Sequence, residues 1–225
     1  MALKKFKPDF KILPDPQKEL WPELSAVPDH FILYGGTAIA LQIGHRESID
    51  FDFFSSENFD PDDILKSIPA LEGSEVTQRG VNTLSVKVHR GSGTIALSFF
   101  GLPKISSIVP PLQTQDGILR VASLIDLAGM KASVVQKRAE WKDYVDLVAL
   151  MDAGITLPMA LSAGKAIYKS QFNPQITLKA LSYFDDVQGI TPQVKTRLQD
   201  AVLNVDIQNL PSLSSIDDIS PGAEL

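Results

Sequence analysis

Near residue 120 the hydrophobic period of this chain changes from two to about 3.6, and that switch sets what it can fold into. Before it, "EVTQR", "TLSVKVH" and "TIALSFF" alternate as strands do, and the intervening "GVN" and "RGSG" read as hairpin turns. After it, "SLIDLAGMKASVVQKR", "EWKDYVDLVALMDAG", "PMALSAGKAIYKSQ", "PQITLKALSYF" and "TPQVKTRLQDAVLN" have helical spacing, with Asn173 and Pro174 as cap and first turn of the fourth. The expected fold class is α/β (α+β): a mixed sheet flanked by helices over residues 1–120, with an N-terminal arm, then a helical bundle over 121–205. A short helix is expected around Gln17–Leu24, and "PKISSIVPPLQTQDG" is expected to be loop. Residues 206–225 are rich in Ser, Pro and Asp and read as a loosely held tail.

One strand is chemically odd. "IDFDFF" places Asp50 and Asp52 on one face and Ile49, Phe51 and Phe53 on the other, because side chains alternate along a strand. The two carboxylates would stand about 6–7 Å apart, twice the rise per residue. Asp is disfavoured in strands, and like charges on one face repel unless a cation lies between them. Either this is a solvated polar face, or the pair holds a hard cation such as Mg²⁺ whose remaining ligands are water and phosphate.

Just upstream, "FILY" reads as a strand and "GGTAIALQIG" as a short helix opening at Gly35 and Gly36. Its leading N–H groups and dipole favour an anion, and the glycines let a phosphate come close. The alternative is a tight turn packed on the sheet. Further on, Lys131 falls on an apolar helical stripe with Leu124, Leu127, Ala128, Val134 and Val135. It either snorkels to water or aims an ammonium at phosphate. In the next helix Asp143 and Asp146 share a face beside Lys142, which reads as a charged outer face or as part of a site. His30, His45 and His89 have no metal-like spacing.

Composition narrows the function classes. The net charge of −6 argues against a broad basic surface, though not against a small basic groove. With no cysteine there is neither a disulfide nor a thiolate metal site. No apolar run is long enough to span a membrane, so a cytoplasmic protein is expected.

The motifs together resemble one family. "GGTAIALQIGHRESIDFDFF" followed by "KASVVQKRAEWKDYVDL" is similar to the AbiEii-type toxin nucleotidyltransferases, of the DNA polymerase β-like superfamily. The matching positions are Gly36-Thr37, Asp50-Phe51-Asp52, Lys131, and Lys142-Asp143-Tyr144-Val145-Asp146, and "FNPQITLKALSYFDD" is similar to the family's C-terminal helical part. The resemblance spans about residues 30 to 186. It implies a Mg²⁺-dependent (or Mn²⁺-dependent) transfer of NMP from an NTP to an RNA (tRNA) or protein acceptor, and a cognate antitoxin. It also implies roles. Gly35, Gly36 and Thr37 would hold phosphates, Asp50 and Asp52 the metal, Lys131 and Lys142 the nucleotide, and Asp143 the acceptor hydroxyl, all in one cleft. The superfamily's third carboxylate falls on Ser98. Either Asp143 takes over its work, or turnover is weak, or the protein binds nucleotide or a partner without catalysis.

Overall fold

The computed structural model describes residues 3–103 and 105–216. Its contacts divide the chain into two units. The first comprises the described residues up to Ile105 together with Pro110–Ser123; the second comprises Ser106–Val109 and Leu124–Ile216.

The first unit is built on eight strands: β1 (Lys5–Phe6), β2 (Ile32–Tyr34), β3 (Phe51–Ser55), β4 (Glu75–Gly80), β5 (Thr83–Arg90), β6 (Gly93–Gly101), β7 (Leu112–Thr114) and β8 (Arg120–Val121). They form one mixed sheet in the order β1-β7-β8-β2-β3-β6-β5-β4. Strand β3 runs antiparallel to β2 and parallel to β6. The helices of this unit are α1 (Asp15–Leu20), α2 (Gly35–Ile43) and α3 (Pro61–Ser67). Alternation decides the faces. Phe51, Phe53, Leu84, Val86, Ile95, Leu97 and Phe99 are buried on one side, where Phe53 stacks on Phe99 at 5.1 Å. Asp52, Phe54, Ser98 and Phe100 line the half-buried opposite side. Asp60 caps α3 by accepting from the Asp62 N–H, with Pro61 at the first helical position.

Three expectations need correction. The short N-terminal helix starts earlier, at Asp15, and from Trp21 to Ala26 it tightens to 3₁₀, because Pro22 has no N–H for the α-helical ladder. The segment read as loop carries β7, which joins the sheet against β1, and β8 follows it after a turn. Strands of two or three residues are too short for a periodic signal. Finally, β3 begins at Phe51, so Ile49 and Asp50 lie outside it, and Ile49 is 42% exposed rather than buried beside Phe51.

The second unit is helical: α4 (Leu124–Val134), α5 (Trp141–Asp152), α6 (Leu157–Tyr168), α7 (Pro174–Ala180) and α8 (Pro192–Leu203). Asn173 caps α7 through its Oδ1 and Thr191 caps α8 through its Oγ1, each just before a proline at the first helical position. Of the expected tail, Ile207–Asn209 make a 3₁₀ turn and Ile216 bridges Ser107; residues 217–225 lie outside the described residues. Among the described residues no single helix is long and apolar enough to cross a membrane.

Candidate active site

Gly35 sits at the junction of β2 and α2 with φ +76, a conformation that glycine adopts without steric cost. A Cβ there would lie 2.7 Å from Asp52 Oδ2. The Asp52 carboxylate therefore rests directly against the backbone that opens α2. A Cβ on Gly36 would lie 2.2 Å from Arg46 Nη2, so the guanidinium covers the second glycine as the carboxylate covers the first. The glycine turn is thus a cradle between one negative and one positive group, at a helix end whose first N–H groups have no intrahelical partner.

Thr37 is buried, and its hydroxyl is engaged. It lies 2.8 Å from Ser48 Oγ and donates to the Asp50 carbonyl. That bond accounts for β3 starting two residues later than "IDFDFF" suggests: the Asp50 carbonyl serves α2 rather than the sheet. It also ties Asp50, which is exposed, to the turn that abuts Asp52. Ser48 is itself held, its N–H donating to the Ile12 carbonyl at 3.2 Å.

Ser98 is the register partner of Asp52 on β6. Its Oγ lies 3.1 Å from Ser85 Oγ on β5, so a pair of hydroxyls from two strands follows Asp52 across the sheet. Among the described residues no three His, Cys, Asp or Glu side chains form a metal-binding group. Asp52 with its hydroxyl neighbours, and the exposed Asp50 two residues earlier, offer oxygen donors only. That chemistry fits a hard cation that takes its remaining oxygens from phosphate and water.

Lys131, Lys142 and Asp143 belong to the second unit. Lys131 is 4% exposed, and its Nζ lies 2.6 Å from both Asp143 Oδ1 and Asp146 Oδ2. It neither snorkels nor leaves its ammonium unpaired. Arg138 adds a forked contact to Asp143, with Nε 2.7 Å from Oδ2 and Nη2 3.1 Å from Oδ1. Burial pushes the Asp143 carboxyl up; the Arg138 hydrogen bond and the Lys131 ammonium outweigh it and hold the group below the usual carboxylate range. Asp143 and Asp146 are fully buried, not an outer face, while Lys142 is exposed.

Sequence reasoning missed Arg46 and Ser48. The signal was available, since Arg46, Ser48, Asp50 and Asp52 recur at every second position of "RESIDFD".

A mixed sheet that carries Asp52 beside a glycine-opened helix, followed by a helical half, defines the nucleotidyltransferase fold. The same fold is found, at low identity, in two solved structures. The MenT4 nucleotidyltransferase toxin of Mycobacterium tuberculosis has a TM-score of 0.55 and 15% identity, covering 85% of this chain and 83% of its own. JHP933 of Helicobacter pylori has 0.54 and 14%, covering 84% and 89%. The model of the family described as nucleotidyl transferase AbiEii toxin, type IV toxin–antitoxin system, matches residues 22–209, and the chain belongs to that family. It is also 32% identical over 161 residues to the protein aq_aa25 of Aquifex aeolicus, which covers 70% of this chain and 75% of the relative.

Proposed function

We propose that this family member transfers a nucleoside monophosphate from an NTP to an RNA or protein acceptor in the cytoplasm, with a cognate antitoxin restraining it. The observation that carries the reading is the Asp52 carboxylate lying against the Gly35 turn. The backbone N–H groups at Gly35 and Gly36 would receive the terminal phosphates. Arg46 beside Gly36 offsets their charge. Asp50 and Asp52 would hold a divalent cation, Mg²⁺ or Mn²⁺. When bound, that cation neutralises the negative charge shared by the carboxylates and the triphosphate. Thr37 acts through its bond to the Asp50 carbonyl and so positions the carboxylate pair. In the transfer, an acceptor hydroxyl forms a bond to the α-phosphorus, the bond to the β-phosphate oxygen breaks, and pyrophosphate leaves.

The roles implied for the second unit separate by their environments. Exposure supports a phosphate contact for Lys142. For Lys131 and Asp143, burial and mutual pairing support an anchoring role that holds α4 on α5. A carboxylate held below its usual range is a weak proton acceptor, which speaks against Asp143 as the base that activates the acceptor.

Nucleotide and cation should bind in a linked way. Two carboxylates repel a bare triphosphate, so each ligand is expected to raise the affinity for the other by the same factor. Calorimetric titration of each NTP, once with Mg²⁺ and once with EDTA, measures that factor. Equal affinities would remove the bridged site. A second reading, nucleotide binding without transfer, is favoured by Ser98 standing beside Asp52 where a third carboxylate would complete the set. Ser98→Asp is expected to tighten Mg²⁺ binding in the presence of NTP and to raise pyrophosphate release. Unchanged release from a well-folded variant would favour the binding-only reading.

A further inference from the structure

Eight residues near the N-terminus, Lys4 to Lys11, read "KKFKPDFK" and carry four lysines in a chain whose net charge is −6. All four, Lys4, Lys5, Lys7 and Lys11, are exposed. Elsewhere in the first unit several surface cations are held by carboxylates: Lys18 by Asp15, Arg79 by Asp62, Arg90 by Glu23 and Arg120 by Asp29. Among the described residues none of the four arm lysines has such a partner within 4.0 Å. The one acidic residue in the segment, Asp9, is turned inward. Its side chain accepts from the Lys11 N–H, and its Oδ2 would lie 2.6 Å from a Cβ on Gly44. Among the described residues the arm therefore gathers four lysines with no carboxylate partner into eight positions.

The arm is also fastened, to the sheet at its start and to α2 and Ser48 at its end. The Lys4 carbonyl accepts from the Gln113 N–H at 2.9 Å, which places the start of the arm on the sheet. The Asp9 N–H donates to the Leu41 carbonyl of α2 at 2.8 Å, and the Ile12 carbonyl accepts from Ser48, two residues before Asp50. The lysines thus follow a fixed backbone that meets α2 near its C-terminal end and reaches Ser48, two residues before Asp50. Between Lys7 and Lys11, Phe10 is 36% exposed and stands edge-on against Trp21 at 5.1 Å, an aromatic face among the cations.

We infer that the N-terminal arm is a docking rail for a single nucleic-acid strand, read through its phosphates. The lysines neutralise the backbone, Phe10 offers a stacking face for a base, and the rail delivers the strand to the site. Lysines interleaved with an aromatic ring along one ordered path suit a chain of phosphates bearing flat bases. A lipid headgroup surface or an acidic peptide would use the charge but not the ring or the approach to Asp50. The inference rests on the transferase reading only for what happens at the end of the rail.

The test uses the full chain and the variant Lys4→Gln/Lys5→Gln/Lys7→Gln/Lys11→Gln, whose changes are all at exposed positions. Binding of fluorescein-labelled mixed-sequence 20-nucleotide single strands, one RNA and one DNA, is followed by anisotropy across a salt series. Wild-type chain is expected to bind, and the variant to lose at least about tenfold in affinity at low salt, with the slope of log K on log salt smaller by about 2 to 3. Equal binding of RNA and DNA supports recognition of the shared phosphate chain; preference for RNA names RNA as the source and also supports the rail. Unchanged affinity in the variant overturns the inference. So does binding of a polyglutamate peptide or of phosphatidylserine vesicles as tight as that of either oligonucleotide. Mg²⁺–NTP affinity is measured on the same samples. Its failure in wild type would count against the transferase reading while leaving the rail measurement standing.

Discussion

Replacing Lys131 with methionine is expected to destabilise the helical unit by about 3–5 kcal/mol, the usual cost of removing one partner from a buried ion pair. The ammonium lies 2.6 Å from each of two carboxylates that have no exposure, so the variant leaves both with reduced compensation. Arg138 still holds Asp143, which keeps the loss from being larger. Adding Asp146→Asn removes one of the stranded charges and should recover about 1–3 kcal/mol, a coupling of the size found between directly contacting groups. The chain has two tryptophans, and Trp141 belongs to this unit. Urea denaturation followed by Trp141 fluorescence in a Trp21→Phe background therefore reads the effect. A loss under about 1 kcal/mol would show that Lys131 is not an anchor and would return it to the phosphate-binding role.

The pH dependence has a defined sign. The Asp143 carboxyl titrates below its ordinary value of 3.8 in the folded chain. Its contribution is therefore present above pH 3.8 and is lost as pH falls through the lower folded value. In the Lys131→Met variant the carboxyl keeps Arg138 but loses one of its two cations, so it has less interaction to lose on protonation. The stability gap between wild type and variant is expected to narrow as pH drops below about 4.

Gly35→Ala is expected to remove transfer almost wholly while leaving the fold in place. The added methyl would lie 2.7 Å from Asp52 Oδ2, and φ +76 costs any L-residue about 1–2 kcal/mol. The chain can relieve the contact by moving the Asp52 carboxylate or by opening the turn, and either shifts the donors relative to one another. A misplacement of about 1 Å costs on the order of a hundredfold in rate. Pyrophosphate release with saturating NTP and Mg²⁺ should fall by at least about that factor. Circular dichroism should stay unchanged. A variant as active as wild type would mean that the Gly35–Asp52 contact is incidental to catalysis.

The order of motifs, the change of period near residue 120, the caps at Asp60 and Asn173 and the family resemblance were all legible in the chain itself. Each is a local property: spacing of apolar residues, a capping side chain, a glycine pair ahead of Asp-x-Asp. That the superfamily's third carboxylate falls on Ser98 was implied by the resemblance, and the register of β3 on β6 makes Ser98 the partner of Asp52. Other features required the tertiary structure, because they are contacts between residues far apart in the chain. Thr37 takes the Asp50 carbonyl and so delays the start of β3 to Phe51. Arg46 folds back over Gly36. Strands β1 and β7 are too short to carry a pattern and exist only because they pair with each other and with β8. Lys131 shows the division most sharply. Its place on an apolar stripe was readable from helical spacing, but the two buried carboxylates that receive it lie on the following helix. Only packing of α4 against α5 decides that its charge is met inside the protein rather than by water.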